Sequence, residues 1–181
     1  MPEAGGCDVH VGDLYPWLMR VSCVSLMSCL VRRSALPEGL RCAEDLPTYE
    51  DWEGVARIAR RGPGAFIARD LVLNHRHGGP RLSGARHLAK LQARAAILER
   101  VWGADAVFLA RHGAEYGRVL RGVRLALARE YLAQGRLADA RQALRLAGGG
   151  PLAYEMLARL PAAWVRHGLA LRRGTFGLLA G

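Results

Sequence analysis

Residues 44–83 read EDLPTYEDWEGVARIARRGPGAFIARDLVLNHRHGGPRLS, and the division of this stretch decides the fold. From Tyr49 to Arg61 the apolar residues Trp52, Val55, Ile58 and Ala59 fall at helical spacing, and Gly62-Pro63 is a stop signal. The run Ala65 to Leu73 is apolar, and it is short enough to be a strand. Upstream, Leu26 to Val31 has the same character and predicts another strand. Proline and glycine punctuate the chain densely as far as Ser83 and then give way to long periodic segments. The expected organisation is therefore a strand-and-helix part over residues 1–83 and a helical extension over 84–181.

In the second part, Leu88, Leu91, Ala95, Leu98 and Trp102 alternate spacings of three and four, which predicts one amphipathic helix capped by Ser83. Tyr116, Val119, Leu120, Val123, Leu127 and Tyr131 predict a second helix ending at Gly135. Leu137, Ala140, Leu144 and Ala147 predict a third, stopped by Gly148-Gly149-Gly150. The short glycine turn between the last two makes them antiparallel neighbours. Pro161 is expected to start a further short helix, since proline is tolerated at the first helical position.

Composition narrows the class. With 51% hydrophobic and 23% charged residues the chain can bury a core. The net charge of +10 comes from arginine, Lys90 being the sole lysine. Such a field favours anionic partners of any kind. The arginines are spread along helical stretches without interleaved aromatics, so nucleic acid is not expected as a partner. Cys7, Cys23, Cys29 and Cys42 form no CxxC pair and have no histidine at zinc-site spacing. They read as small core residues of a reducing compartment. The acidic, glycine-rich start lacks a signal peptide's basic region, and the apolar stretch from Trp17 to Val31 is too broken and short to span a bilayer. A cytoplasmic protein is expected.

Glu50-Asp51-Trp52, then Arg57-Ile58-Ala59, then Asn74-His75-Arg76-His77, preceded by Leu30-Val31-Arg32-Arg33-Ser34-Ala35-Leu36, carry a resemblance. This pattern resembles the C-terminal, acceptor-side half of the catalytic domain in family 2 glycosyltransferases, whose α/β fold is called GT-A. The likeness covers about residues 17–83 well and the helical tail loosely. It implies a partial GT-A-like α/β domain followed by an α-helical extension, helix-rich overall. It also implies inverting transfer of a sugar from a nucleotide-sugar donor to a glycan or lipid-linked acceptor in cell-surface glycan biosynthesis. Within that likeness Asp51 is the general base and Glu50 its neighbour or alternate. Carboxylates suit that place, because the free amides and dipole of a helix N-terminus favour negative charge. Arg32, Arg33, Trp52 and Arg76 are implied on the substrate side. His75 and His77, which share one side of an extended segment, could meet a diphosphate or its divalent ion.

The family's Asp-x-Asp metal motif occurs nowhere in this sequence. Magnesium or manganese is thus expected only in a complete enzyme, with none bound to this chain alone. The nucleotide-binding half is expected to be missing through truncation or a misplaced start, or to be supplied by a separate chain. Exposed sheet would then favour a protein partner or self-association, with a location at the inner face of the membrane. From Glu115 to Ala147 the sequence also looks like a single tetratricopeptide-type hairpin, one copy being too few for a solenoid. That leaves a non-enzymatic helical interaction module as the alternative function.

Overall fold

Tyr15–Arg20 forms helix α1 with Pro16 in its first turn, yet six residues do not make a stable helix by themselves. Side chains from elsewhere hold its carbonyls. Trp52 donates its indole N–H to Leu18 O at 3.0 Å, and Trp102 donates to Tyr15 O at 3.1 Å. Arg94 reaches the last residue, Arg20, through a 2.6 Å bond to its carbonyl. The computed structural model describes residues 8–22, 26–36, 42–73 and 87–161.

The chain divides into two units, Met1–Gly113 and Ala114–Gly181. In the first, strand β1 (Val9–Gly12) pairs antiparallel with β2 (Gly64–Ile67) in the register Val9↔Ile67 to Gly12↔Gly64. Helix α2 spans Glu50–Ala59, and α3 spans His87–Ile97, running on into a π-helical turn at Leu98–Trp102. That turn carries one extra residue, closed by Gly103 N donating to Leu98 O at 2.9 Å. It turns Leu98, Val101 and Trp102 inward while Glu99 and Arg100 stay exposed.

Aromatic rings make the core of this unit. Tyr15 stacks on Trp102 at 5.4 Å, Trp52 meets Trp102 at 5.5 Å, and Phe108 packs edge-on against Tyr15 at 5.1 Å. Leu18, Met19, Ala56 and Ile97 fill the space around them and are fully buried. Tyr15 also donates its hydroxyl to Val101 O at 3.1 Å. These contacts bind α1, α2 and the end of α3 into one body, so the first unit runs on past residue 83.

Helix α4 (Ala106–Ala133) crosses the division between units. In the second unit it is followed by α5 (Leu137–Leu146) and α6 (Leu152–Arg159). Glycines in the left-handed region end both α4 and α5. Gly135 has φ 70° and Gly148 has φ 70°. Arg136 N bonds Tyr131 O and Gly135 N bonds Leu132 O, and the same pair recurs as Gly149 N to Leu144 O and Gly148 N to Arg145 O. Each is a Schellman closure, which satisfies carbonyls that a helix end leaves free. A tight glycine turn thus separates α4 from α5, and a third helix follows.

The arginine excess has a structural use. Arg61 donates to Ala35 O, Arg94 to Arg20 O, and Arg124 to Leu146 O. Arg121 donates to both Ala147 O and Gly149 O, and Arg141 to Ala158 O. Each accepting carbonyl lies at the C-terminal end of a helix or helical turn, where the backbone dipole is negative and carbonyls lack partners. Guanidinium groups are spread along the sequence because the helix ends they close are spread along it.

Helix-rich architecture, with a single two-stranded sheet among the described residues, bears out the coarse expectation. Other expectations need correction. Leu26–Ser28 is a 3-10 turn rather than a strand, and Leu30 is fully exposed. A short apolar run extends only where another strand offers its backbone, and here 64–67 pairs with 9–12 instead. Cys29 is half-buried and Cys42 exposed, both outside any disulfide, so neither is the core residue expected; Cys7 and Cys23 lie outside the described residues. So do Ser83 and the segment that Pro161 was expected to start. No described helix is long and apolar enough to cross a membrane.

Candidate functional site

The acid pair stands at the start of α2, and the backbone there is unusual. Tyr49, the residue before the helix, has φ 68° and ψ 18°, the left-handed region, and among the described residues it is the one non-glycine residue with positive φ. A tyrosine resists that conformation because its Cβ crowds the backbone. Two contacts hold it. Its ring packs edge-on to Trp52 at 5.9 Å, and its carbonyl accepts the first helical bond, from Glu53 N at 3.1 Å.

Tyr49 brings no capping oxygen, so the first-turn amides take their partners elsewhere. Trp52 N donates to Asp51 Oδ1 at 2.7 Å. A carboxylate has two oxygens and about four lone-pair positions, so this bond leaves Asp51 able to accept a proton. Glu50 and Asp51 are both half-buried, whereas Glu53 is 3% exposed. The Glu53 carboxylate lies 3.1 Å from Arg57 Nη2, without hydrogen-bond geometry. Three carboxylates in one helical turn gain from the dipole there.

Trp52, read as a substrate-side residue, lies in the core at 0% exposure with its N–H engaged by Leu18. Its position fixes the entry of α2 and thereby the direction of the acid pair. Arg32 and Arg33 are exposed in a 3-10 turn, Arg33–Ala35. That turn is tied to Arg61, just beyond the C-terminal end of α2, by the Arg61 bond to Ala35 O at 3.1 Å. The acids sit at the other end of α2, roughly 15 Å away for ten residues of helix. Glu50, Asp51 and Trp52 thus stand together at the start of α2, while Arg32 and Arg33 belong to the turn that Arg61 holds. His75, Arg76 and His77 lie outside the described residues.

Sequence reasoning missed a second polar arrangement. Asp105 is 6% exposed; its Oδ1 accepts Phe108 N at 3.0 Å, capping α4, and its Oδ2 lies 2.7 Å from Arg60 Nε. Burial, followed by the negative charge of Asp105, pushes the Tyr15 hydroxyl well above its ordinary value. An aspartate just before a periodic segment is a cap signal, so Asp105 was legible as the start of α4. Nearby, Arg100 grips Asp45 through both carboxylate oxygens, which holds that exposed carboxyl below its ordinary range. Among the described residues no group of three or more His, Cys, Asp or Glu could hold a metal ion. Comparison with protein-family models, with curated proteins and with solved structures found no match for this chain.

Proposed function

We propose that this chain supplies the acceptor side of an inverting, family 2-type glycosyltransferase with a GT-A-like core, in which Asp51 is the general base. The supporting observation is the left-handed Tyr49 directly before a half-buried acid pair, on a helix start fixed by a fully buried tryptophan. Such backbone strain costs on the order of 1–3 kcal/mol and gathers where exact geometry serves function. Here it lies next to the residues that the family resemblance marks.

In the proposed reaction the acceptor hydroxyl gives its proton to the Asp51 carboxylate as its oxygen attacks the anomeric carbon. The bond from that carbon to the nucleoside diphosphate breaks with its electron pair, and the configuration inverts. Glu50, one residue away, supports the charge of the site. A magnesium or manganese ion would neutralise the departing diphosphate. The described residues offer no group of three or more ligands for it. The donor half has to come from further sequence or from another polypeptide.

The test is to complement the full chain, by fusion or by mixing, with a nucleotide-sugar-binding half of a family 2 enzyme. Product configuration is then read by NMR. Transfer with inversion is expected; hydrolysis alone, or retention, would refute the proposal. A second reading, a helical interaction module, draws on α4 and α5 around their glycine turn, with α6 packed on α5. The same assay separates the two, because a module needs no acid pair and a complemented chain would transfer nothing.

A further inference from the structure

The two-stranded sheet of the first unit has one guarded edge and one bare edge. Ala68 N donates to Asp8 O at 3.0 Å, which continues the β1–β2 register by one residue and fixes the alternation of the ladder. In an antiparallel pair, residues that exchange bonds alternate with residues whose N–H and C=O point away. His10 and Gly12 therefore bond Phe66 and Gly64, while Val9 and Val11 on β1, and Ala65 and Ile67 on β2, turn their backbone groups outward. The edge of β2 is partly closed, because Ile67 O already accepts Arg69 N at 2.8 Å, and Pro63 and Arg69 flank the strand. The edge of β1 is open. Among the described residues no third strand covers Val9 or Val11, and Val9–Gly12 holds no Lys, Arg, Asp, Glu or Pro, the residues that commonly keep an edge from pairing.

The surface of this sheet also lacks cover. Val9 is 53% exposed, Val11 72% and Phe66 58%, and a sheet of two strands is marginal by itself in water. Strand β1 is its own complement. About a two-fold axis through His10, Val9 lies opposite Val11 of a second copy and Val11 opposite its Val9, so the outward N–H and C=O groups of all four valines bond reciprocally. The valines make two β-branched pairs on one face. On the other face His10 meets His10 of the second copy in the closer, non-hydrogen-bonded kind of pair, and His10 already stacks on Phe66 of its own chain at 6.4 Å. A row of four rings results. Charge selects this partner too. Asp8 falls opposite Gly12 of the second copy, so the acids do not meet, and a foreign strand carrying charge would find none to pair with along Val9–Gly12.

We infer that β1 is a dimerisation strand, which pairs antiparallel about His10 with β1 of a second copy of this chain and builds a four-stranded sheet in the order β2-β1-β1-β2. This pairing is independent of the proposed transfer activity. Sedimentation equilibrium of the full chain is expected to show a monomer and a dimer in exchange. Val11→Pro tests the edge. The Val11 N–H points away from β2, so proline there removes two of the four interchain bonds and leaves the β1–β2 ladder in place. The dissociation constant should rise by about ten- to a hundredfold, with amide exchange at His10 and Gly12 unchanged. Should proline disturb the ladder, His10→Glu decides instead, because it sets two like charges at the axis on an exposed side chain. It should weaken the dimer by about fivefold, and more at low salt than at high salt. Register is read in a mixture of 13C-labelled and unlabelled chains, where a nuclear Overhauser contact is expected between the His10 Hα protons of the two, the close pair at the axis. A monomer at every concentration, a dimer that both variants leave intact, or a dimer without that contact would overturn the inference.

Discussion

Replacing Trp52 by phenylalanine tests whether one indole fixes the start of α2. Phenylalanine keeps an aromatic ring against Tyr49 and Trp102 but removes the donor that Leu18 O uses at 3.0 Å. That carbonyl sits in the last turn of α1, beyond the reach of any further helical N–H. Leaving it buried and unpaired costs about 1–3 kcal/mol, and the smaller ring forfeits about 1 kcal/mol of burial. The expected loss is about 2–4 kcal/mol. For a unit of this size that lowers the midpoint by roughly 8–16 °C, at about 4 °C per kcal/mol. Calorimetry with near-ultraviolet circular dichroism follows the transition, and Trp17→Phe is the control, since Trp17 is 45% exposed. If Trp52→Phe costs no more than Trp17→Phe, the indole does not anchor α2 and the orientation of the acid pair has another cause.

Two further predictions concern stability. The Tyr15 hydroxyl titrates higher in the folded chain than in the unfolded one, chiefly through burial. Its contribution is complete below the unfolded value, about pH 10, and is lost as pH rises above that. Urea midpoints measured across alkaline pH should fall, and in Tyr15→Phe this fall should be smaller, from a lower neutral baseline that reflects the lost bond to Val101 O. In the second unit, Arg121→Lys keeps the charge but cannot span both Ala147 O and Gly149 O. It should cost about 1 kcal/mol in denaturant unfolding, less than the roughly 1.5–3 kcal/mol of a hydrogen bond to a charged group because the side chain is partly exposed. An unchanged midpoint would show that water closes the end of α5 equally well.

Much of this fold was legible because its signals are local. Trp52, Val55 and Ile58 outlined α2, and Gly135 and Gly148 ended α4 and α5, since a left-handed closure asks for glycine and little else. The strand at Val9–Gly12 escaped notice because four residues carry no period, and its partner lies more than fifty residues away. Leu26–Ser28 misled for the complementary reason, an apolar run with no strand to pair with. The scattered arginines looked like a solvated surface, yet several close helix ends on other elements, and that pairing exists only after folding. At the candidate site the acid pair could be read from Glu50-Asp51-Trp52. The left-handed Tyr49 could not, because nothing in a tyrosine announces it.

The role of Asp51 is open to one direct measurement, single-turnover transfer in the complemented enzyme with Asp51→Asn. The amide keeps the shape of the side chain, and its oxygen can still accept the Trp52 N–H, but it cannot take up the acceptor's proton. Loss of a general base typically slows transfer by about a hundred- to ten-thousandfold. That loss is expected here, with donor affinity nearly unchanged because the substitution acts in the transition state. Near-normal transfer by Asp51→Asn would contradict the assignment. If Glu50→Gln abolished transfer in the same assay, the base would be the neighbouring residue.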